Sequence, residues 1–422
     1  MAAYFLVKGE QTVKGRITIN GAKNSAVALL PAALLTEEKV KIDNLPQITD
    51  IDKLLDIMRS LGASVSSPGG RCLCIDGANV DRFAPPGPLV NQLRASYYLM
   101  GSLLGRFGRV EIPMPGGCDL GPRPIDQHIK GFTAMGASVE VGHGLVKVNT
   151  NGLRGAHIYL DVVSVGATIN IMLAAVKAEG RTVIENAARE PEIVDVANFL
   201  NAMGAQVRGA GTDIIKIQGV KKLYAVEHSV IPDRIEAGTF MIAAAATGGD
   251  VVVEGVIPKH LEPVTAKLKE VGADVELGPD FISVKSRNGL TSCDVKTFPY
   301  PGFPTDLQPH MMVLLTKAPG ISLVTENVFE RRFCHIDELR KMGARITLEG
   351  RTAIIEGGRS LSSAPLRAMD LRGGAAFIIA GLMAGGDTIV GNIKYIDRGY
   401  ERIEERFQEV GVSVQRFEEG EN

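Results

Sequence analysis

Cys118 stands in a setting that suits acid–base or nucleophilic chemistry. It lies in a loop with three glycines and two prolines, Pro115-Gly116-Gly117-Cys118-Asp119-Leu120-Gly121-Pro122-Arg123. A thiol in such a loop can act as a nucleophile or a proton donor when positive charge tunes its pKa. Arg123 would lower that pKa and Asp119 would raise it. The sequence around Cys118 is therefore compatible both with a catalytic thiol and with a loop thiol that has no chemical role.

Asp306 is a second candidate, because it directly precedes an apolar helical segment in Phe303-Pro304-Thr305-Asp306. A carboxylate at that position can cap the helix or act as a general base. The seven histidines show no metal-ligand spacing, and the chain has no Walker A, HExxH or GxGxxG pattern. The sequence therefore predicts neither a metal nor another cofactor.

Basic residues recur where helices are predicted to begin. A helix N-terminus carries partial positive charge and free N–H groups, so an added cation makes an anion site. Arginine also grips phosphate or carboxylate with a planar fork. At any single position, an ion pair with a neighbouring carboxylate explains the basic residue as well as anion binding does. The repeated placement favours a shared pocket that binds anions. The residues are Lys23, Arg94, Arg234 and Arg372 at buried helices, and Arg123, Arg189, Arg332 and Arg398 at amphipathic helices.

A sixfold internal repeat must position these residues. A Gly-Ala motif or a near variant, followed by a β-branched residue, recurs at intervals of 74, 68, 68, 71 and 68 residues. Solenoid repeats are shorter, at roughly 20–50 residues. A period near 70 suits a supersecondary unit with two helices and several strands. The copies start at Leu61, Met135, Met203, Val271, Met342 and Val410.

Each unit is predicted to run from an uncharged apolar helix through a strand and an amphipathic helix to a hairpin. A helix that is apolar all round must be buried all round. Six such helices predict a core of helices wrapped by sheet, divided into two similar domains of three units. The buried segments are Ser25–Leu35, Ala95–Leu104, Val165–Val176, Ala237–Gly248, Leu307–Thr316 and Gly373–Ala384.

The two ends of the chain suggest how the domains are divided. The last unit reaches Asn422 before its hairpin is complete, whereas Tyr4–Lys8 and Arg16–Asn20 read as spare strands. We therefore expect a first domain of residues 23–231, and a second made of residues 1–22 and 232–422. The chain would cross between them near Gly21 and Pro232, with the active site in the cleft.

Composition excludes several classes of protein. Of 422 residues, 45% are apolar, which rules out intrinsic disorder, and the net charge of −2 disfavours a nucleic-acid partner. No secretory signal or membrane-spanning run is recognisable. Five scattered cysteines do not form a disulfide framework, so we expect a cytoplasmic protein with no membrane partner. The sequence makes no prediction of oligomeric state.

Ten short motifs follow one another along nearly the whole chain: Gly21-Ala22-Lys23-Asn24, Leu93-Arg94-Ala95-Ser96, Pro115-Gly116-Gly117-Cys118, Arg123-Pro124-Ile125-Asp126, Ser164-Val165-Gly166-Ala167-Thr168, Arg189-Glu190-Pro191-Glu192, Pro232-Asp233-Arg234-Ile235-Glu236, Phe303-Pro304-Thr305-Asp306, Asp370-Leu371-Arg372 and Asp397-Arg398-Gly399-Tyr400-Glu401-Arg402. Jointly they resemble the enolpyruvyl transferases of cell-wall synthesis. The resemblance implies an α/β fold, an inside-out α/β barrel with two similar domains, each built from three βαβαββ-type units with buried helices.

The resemblance also implies a reaction. Phosphoenolpyruvate would give its enolpyruvyl group to the 3-hydroxyl of UDP-N-acetylglucosamine and release phosphate, in the first committed step of peptidoglycan synthesis. The family reacts by addition and elimination through a tetrahedral ketal, with no cofactor. Such chemistry needs cationic clamps, a base for the hydroxyl and an acid for the carbon.

By the matching motifs, Asp306 would take the hydroxyl proton. Cys118 would be the general acid, form a covalent adduct with phosphoenolpyruvate and be the thiol that fosfomycin alkylates. Lys23, Arg123 and Arg398 would hold the phosphate, with Arg372 and Arg398 near the carboxylate. The UDP-sugar site would be lined by Asn24, Arg94, Arg123, Pro124, Ile125, Asp126, Gln127, Ser164, Val165, Gly166, Asp306 and Val328, with Arg332 nearby.

Two positions depart from the family pattern. Some members carry lysine where this chain has Val162, and others have leucine in place of Gln127. Two alternatives to the implied reaction remain. One is the sister enolpyruvyl transferase that uses shikimate 3-phosphate, although the Cys118 loop and the Ser-Val-Gly motif argue against it. The other is a non-catalytic UDP-sugar-binding paralogue, although the candidate catalytic residues are all present.

Overall fold

The computed structural model describes residues 3–114, 124–286 and 289–418. These residues form two compact units. We call residues 21–114 and 124–231 the amino-terminal unit, and residues 3–20 and 232–418 without 287–288 the carboxy-terminal unit. The first division, between residues 20 and 21, falls two residues before the expected one. Cys118 and Arg123 lie outside the described residues.

The first two strands along the chain, β1 (Tyr4–Val7) and β2 (Lys14–Thr18), belong to the carboxy-terminal unit. The amino-terminal unit follows. Its described elements are α1 (Lys23–Ala33), β3 (Val40–Asp43), α2 (Thr49–Ser60), β4 (Ser64–Gly69), β5 (Cys72–Asp76), α3 (Gly87–Val90), α4 (Tyr98–Phe107), β6 (Arg109–Pro113), α5 (Asp126–Ala134), β7 (Ser138–Gly142), β8 (Leu145–Asn149), β9 (His157–Tyr159), α6 (Val165–Ala175), β10 (Arg181–Glu185), α7 (Pro191–Ala202), β11 (Gln206–Arg208), β12 (Ile214–Gln218) and β13 (Glu227–Ser229).

Three sheets surround the amino-terminal core in the described residues. Two are mixed, with strand orders β13-β3-β5-β4 and β11-β12-β10-β9, and the third, β6-β8-β7, is antiparallel. In the two four-stranded sheets an outer strand runs parallel to its neighbour and a hairpin completes the sheet. The third sheet departs from the βαβαββ pattern, because no parallel strand precedes β6 in the described chain. There the N–H of Glu111 donates to the carbonyl of Phe83 at 3.0 Å instead.

The carboxy-terminal unit continues the same order of elements. Its further described elements are α8 (Arg234–Thr247), β14 (Asp250–Glu254), α9 (Glu262–Glu270), β15 (Asp274–Leu277), β16 (Phe281–Lys285), β17 (Val295–Lys296), α10 (Gln308–Lys317), β18 (Gly320–Thr325), α11 (Ile336–Lys341), β19 (Arg345–Glu349), β20 (Thr352–Gly357), β21 (Pro365–Arg367), α12 (Leu371–Met383), β22 (Thr388–Gly391), α13 (Ile403–Glu409) and β23 (Val414–Phe417). The sheet orders are β15-β16-β14-β2, β17-β18-β20-β19 and β21-β22-β1-β23.

The early strands fill places that the later chain leaves open. Strand β2 lies parallel to β14, with Ile17 opposite Val253. Strand β1 lies between β22 and β23 and is antiparallel to both, with Val7 opposite Thr388 and Val414. Because side chains alternate along a strand, Phe5 and Val7 both face the core, and both are fully buried.

Each unit has its own hydrophobic core, built around helices buried on nearly all sides: α1, α4 and α6 in one unit, and α8, α10 and α12 in the other. Ala243–Ala246 of α8 are completely buried, as are Phe377–Ala380 of α12. Burial on all sides explains why these segments carry almost no charge. The predicted arrangement of buried helices wrapped by sheet is confirmed. None of the helices described here is both long enough and apolar enough to span a membrane.

Candidate active site

Asp306 lies at the centre of a cluster of charged side chains in the carboxy-terminal unit. It sits in a 3₁₀ turn, Thr305–Leu307, that leads into α10. Arg372 donates from Nε and Nη2 to its Oδ2 at 3.1 and 2.9 Å. Arg332 Nη2 lies 2.8 Å from its Oδ1. Each carboxylate oxygen of Asp306 therefore binds a different arginine.

This geometry excludes one of the two interpretations of Asp306 offered by the sequence, that of a helix cap. The start of α10 has no side-chain cap, so Asp306 is not a helix cap. The turn packs closely on α8, because a Cβ on Gly238 would lie only 2.3 Å from Leu307 Cδ1. A glycine at that position lets the turn approach the helix, and the approach fixes the backbone that carries Asp306.

Buried partners hold the arginines in place. Arg372 is the second residue of α12, and the N-cap carboxylate of Asp370 accepts its backbone N–H at 2.8 Å. Arg332 donates from Nη1 to Thr305 Oγ1 at 3.0 Å. The Thr305 hydroxyl in turn donates to Glu326 Oε2 at 2.9 Å. Long side chains fixed in this way have already lost the rotamer entropy that ligand binding would otherwise cost.

The two arginines also carry donors that no described residue accepts. Arg332 Nε and Arg372 Nη1 are buried, and neither has a hydrogen-bond partner within the described part of the chain. An unmet buried donor is costly, and more so on a charged group. An anion that reached either donor would satisfy it. The arrangement is therefore suited to bind a phosphate or a carboxylate.

The electrostatics of the cluster keep its members charged. Burial alone would raise the pKa of the Asp306 carboxyl, but Arg372 and Arg332 hold it well below its usual range. Burial would lower the pKa of Arg372, and Asp306 outweighs that effect and raises it. Burial and Arg372 together lower the pKa of His310 to about 3, so this imidazole is neutral.

Behind Arg372 lies a buried polar group that the sequence did not reveal. The Arg372 guanidinium lies 5.3 Å above the ring of Tyr400. The Tyr400 hydroxyl is 2.8 Å from Thr239 Oγ1 and 3.3 Å from His310 Nε2. Tyr400 therefore supports one face of the guanidinium while its own hydroxyl is satisfied by neighbours.

Cys334 also has a partner that sequence reasoning missed. Its Sγ donates to Asp370 Oδ2 at 3.1 Å. Burial, followed by the charge of Asp370, raises the pKa of the Cys334 thiol. The Cys334 thiol therefore donates a hydrogen bond to the capping carboxylate of Asp370, and it is not a nucleophile.

The amino-terminal unit holds a simpler ion pair. Lys23 is the first residue of α1, and its Nζ lies 2.7 Å from Asp50 Oδ2 of α2. Both side chains are buried. Asp50 was absent from the sequence-based list, because a carboxylate in the first turn of an amphipathic helix is commonplace.

A second group in this unit gathers around the start of α5 and α6. Arg94 opens a 3₁₀ turn before α4, and its guanidinium lies 5.6 Å from the ring centre of Tyr97. Ser164 caps α6 by accepting the N–H of Ala167 at 3.2 Å. A Cβ on Gly166 would come within 3.2 Å of the His128 ring, so that position needs a small residue.

His128 is buried and was not among the predicted site residues. Its Nδ1 pairs with Asn170 Nδ2 at 3.0 Å. Burial, helped by Arg94, lowers the pKa of His128 to about 4, so the ring is neutral. A neutral imidazole in contact with an amide packs like any other polar core residue. No sequence pattern therefore distinguished His128 as a residue near the site.

Other predicted positions are distributed over the two units. Val328 donates its backbone N–H to Glu326 at 2.8 Å, and Arg398 follows the short 3₁₀ turn Ile393–Tyr395. In the other unit Ile125 is buried beside an exposed Pro124. Asn24 and Val165 lie in the first turns of α1 and α6. The described residues contain no cluster of His, Cys, Asp or Glu that could hold a metal ion.

These features match those of known transferases. The family model described as EPSP synthase (3-phosphoshikimate 1-carboxyvinyltransferase) matches residues 7–407. A protein from Caldanaerobacter subterraneus subsp. tengcongensis, named UDP-N-acetylglucosamine 1-carboxyvinyltransferase 3, is 56% identical over 98% of this chain and 99% of its own. A protein from Geobacillus kaustophilus, named UDP-N-acetylglucosamine 1-carboxyvinyltransferase 2, is 54% identical over 97% of this chain and 95% of its own.

Solved structures support the same fold. The enolpyruvyl transferase NikO from Streptomyces tendae has a TM-score of 0.89 at 24% identity, over 98% of each chain. An EPSP synthase from Acinetobacter baumannii has a TM-score of 0.75 at 22% identity, over 99% of this chain and 100% of its own. The family model and the curated relatives, together with this fold, place the chain among the carboxyvinyl, or enolpyruvyl, transferases. The chain belongs to the EPSP synthase family, and the resemblance noted from its motifs is confirmed.

Proposed function

We propose that this protein transfers the enolpyruvyl group of phosphoenolpyruvate to the 3-hydroxyl of UDP-N-acetylglucosamine and releases phosphate, in the first committed step of peptidoglycan synthesis. The observation that carries the proposal is the buried cluster of Asp306, Arg332 and Arg372 with its two unused donors. The relatives named for this reaction supply the substrate pair.

In the proposed reaction Asp306 takes the proton of the sugar hydroxyl. Before phosphoenolpyruvate binds, the neighbouring arginines keep the pKa of Asp306 low, so its carboxylate is a weak base. Phosphoenolpyruvate brings a phosphate and a carboxylate, and its negative charge would offset the guanidinium charge. The pKa of Asp306 would then rise, so the base would become stronger when the donor substrate is bound.

Several cations would share the anionic groups of the donor. We assign the phosphate to Lys23, Arg123 and Arg398, and the carboxylate to Arg372 and Arg398. Cations preorganised in a dry site stabilise developing charge without reorganisation during the reaction. Asp50 beside Lys23 would keep that lysine charged and aligned until the phosphate arrives.

We assign Cys118 as the acid that protonates carbon 3 of phosphoenolpyruvate, and as the thiol that fosfomycin alkylates. The UDP-sugar would lie against Asn24, Arg94, Asp126, Ser164 and their neighbours in the sequence-based list. Because phosphoenolpyruvate and UDP-sugars are cytoplasmic metabolites, we place the reaction in the cytoplasm. No nucleic acid or membrane partner is proposed.

The deciding experiment measures phosphate release from phosphoenolpyruvate, with UDP-N-acetylglucosamine and, in parallel, with shikimate 3-phosphate. We expect release with the UDP-sugar alone, and its loss after treatment with fosfomycin. Release only with shikimate 3-phosphate would assign the sister reaction. No release with either acceptor, while the UDP-sugar still binds, would indicate a non-catalytic paralogue.

The role of Cys118 has its own test, the variant Cys118→Asp. A carboxyl group can donate a proton but attacks an epoxide poorly, so we expect residual turnover and no fosfomycin adduct. Mass spectrometry of the intact protein measures the adduct, and Cys334→Ser is the matched control that should still be labelled. Continued labelling of the Cys118→Asp protein would refute this assignment.

A further inference from the structure

Gln127 makes an unusual set of contacts for a glutamine on the first turn of a helix. Its side chain is buried, with 5% of the residue exposed. Its Oε1 accepts the backbone N–H of Asp161 at 2.9 Å. Its Nε2 donates to Asp161 Oδ2 at 3.1 Å and to Asp126 Oδ2 at 2.7 Å. One amide group thus ties α5 to the chain that leads into α6.

The orientation of this amide follows from its partners. A backbone N–H needs an acceptor, and two carboxylates need donors, so only one of the two amide orientations satisfies all three. A leucine of similar size could make none of these bonds. The contacts therefore depend on the chemistry of the residue at position 127 and not merely on its volume.

The segment that Gln127 holds has few other attachments. Leu160 before it is anchored, since its carbonyl accepts from Asn186 Nδ2 at 2.8 Å. Ser164 after it caps α6. Between them, residues 161–163 are exposed, and within the described chain only Gln127 and Lys130 form hydrogen bonds with them.

Lys130 makes a second contact with the same aspartate, at 2.7 Å from Asp161 Oδ1. Both partners are largely exposed there, with 41% and 59% of their side chains accessible. An exposed ion pair is screened by water and salt and contributes little. The Gln127 amide is buried and its three bonds are part-buried, so they constrain the segment more than the exposed ion pair does.

We propose that Gln127 is a positioning residue for the UDP-sugar, because it clamps Asp161 and so fixes residues 161–164 against the start of α5 before the ligand binds. This inference rests on the proposed function, in which Asp126 and Ser164–Gly166 contact the nucleotide sugar. A segment ordered in advance costs the ligand less conformational entropy on binding. Gln127, which the motifs also place in the lining of the UDP-sugar site, would thus act through Asp126 and Asp161 as well, so it governs affinity and leaves the chemistry of Asp306 unchanged.

The test compares Gln127→Leu with the wild-type protein in steady-state kinetics and in calorimetric titration with UDP-N-acetylglucosamine alone. We expect the Kd and KM for the UDP-sugar to rise about tenfold, the size expected when buried hydrogen bonds of this kind are lost. The kcat and the KM for phosphoenolpyruvate should stay within about twofold. A general loss of structure would instead change all of these values together.

Two further variants complete the test. Lys130→Met removes the exposed ion pair only, and we expect less than a twofold change in Kd. Asp161→Ala removes the carboxylate half of the clamp at an exposed residue, so it should fold even if Gln127→Leu does not, and its Kd should rise about threefold. The proposal is wrong if the UDP-sugar affinity of Gln127→Leu and Asp161→Ala stays within twofold of wild type, or if Lys130→Met weakens it as much as Gln127→Leu does.

Calorimetry separates this proposal from the proposed reaction. If the wild-type protein binds the UDP-sugar but releases no phosphate, the proposed reaction fails while the clamp is still tested by binding. If the wild-type protein turns over normally and Gln127→Leu binds as well as wild type, only the clamp fails.

Discussion

Asp306, whose side chain is 22% exposed, and the buried Glu236 are two carboxylates of the carboxy-terminal unit whose pKa values move in opposite directions. Asp306 faces Arg332 and Arg372, and its pKa falls below the usual range despite burial. Glu236 faces Arg406 at 3.2 Å, and burial raises its pKa to about 7, with Asp233 adding to the rise. At Glu236 the single guanidinium of Arg406 does not offset burial and the charge of Asp233. At Asp306 the charges of Arg372 and Arg332, with a smaller contribution from Arg234, outweigh burial.

The surroundings of the two carboxylates match this difference. Glu236 also accepts the N–H of Asn20 at 2.9 Å, so it connects α8 to the residues that follow β2. Arg406, its partner, additionally donates to the carbonyl of Thr18. The contacts of Glu236 with Asn20 and Arg406 therefore stabilise the fold, whereas Asp306 faces arginine donors that have no hydrogen-bond partner among the described residues. Such donors suit the site to an anion.

The largest effect should come from Asp306→Asn. The amide keeps an acceptor for the arginines but cannot take a proton, so turnover should fall about 10³-fold while UDP-sugar binding changes little. Phosphate release and calorimetric titration measure the two quantities. Near-normal turnover would contradict the assignment of Asp306 as the base.

Arg332→Met should make Asp306 resemble Glu236, because a single guanidinium then faces the buried carboxylate. We expect kcat to fall about 10- to 100-fold. The acidic limb of the pH profile of kcat/KM should move to higher pH, because one of the charges that lower the pKa of Asp306 is gone. The conservative Arg332→Lys variant keeps the charge and should shift that limb less. An unchanged limb in Arg332→Met would show that Arg372 alone sets the pKa of Asp306.

Glu236→Gln tests the other half of the comparison through stability. A Glu whose pKa is raised to about 7 in the folded protein, from 4.5, lowers stability as pH rises through that interval. Relative to wild type, the variant should therefore gain about 2 kcal/mol in unfolding free energy between pH 5 and pH 8. Urea unfolding at the two pH values measures the gain.

Asp306→Asn is the matched control for that measurement. The lowered pKa of Asp306 contributes stability that is lost only as pH falls below the ordinary carboxylate range. Between pH 5 and pH 8 this variant should follow the wild-type pH dependence. If both variants show the same gain, Glu236 is not the titrating group.

Tyr400→Phe should have the smallest effect. The ring under Arg372 remains, and only the hydroxyl that meets Thr239 and His310 is lost. We expect less than a tenfold fall in turnover and about 1 kcal/mol of lost stability. A loss as large as that of Asp306→Asn would give the hydroxyl a direct part in the reaction.

Much of the fold could be predicted from sequence, because uncharged apolar segments such as those of α8 and α12 can be recognised from their own residues, without knowledge of what packs against them. Irregular segments have no such recognisable sequence pattern. The segment around Phe83 stands where a parallel strand was expected, and Arg94–Tyr97 form a 3₁₀ turn before α4 begins at Tyr98. These details depend on tertiary packing rather than on local pattern.

The site was predictable as a set of residue types but not as a network. Arg372 is 66 residues from Asp306, and no pattern in either segment shows that they pair. The same holds for Lys23 with Asp50, and for Tyr400 with His310. Such pairs become visible only when the repeated units have folded and brought the starts of their helices together.

The central place of β1 in its sheet has a consequence for biosynthesis. Its neighbours β22 and β23 leave the ribosome about 380 residues later, a delay of roughly 20–80 s at ordinary rates of translation. During that time an apolar strand with both edges unpaired must be kept from pairing with other chains. The amino-terminal residues should therefore govern the yield of soluble protein as strongly as any residue of the core.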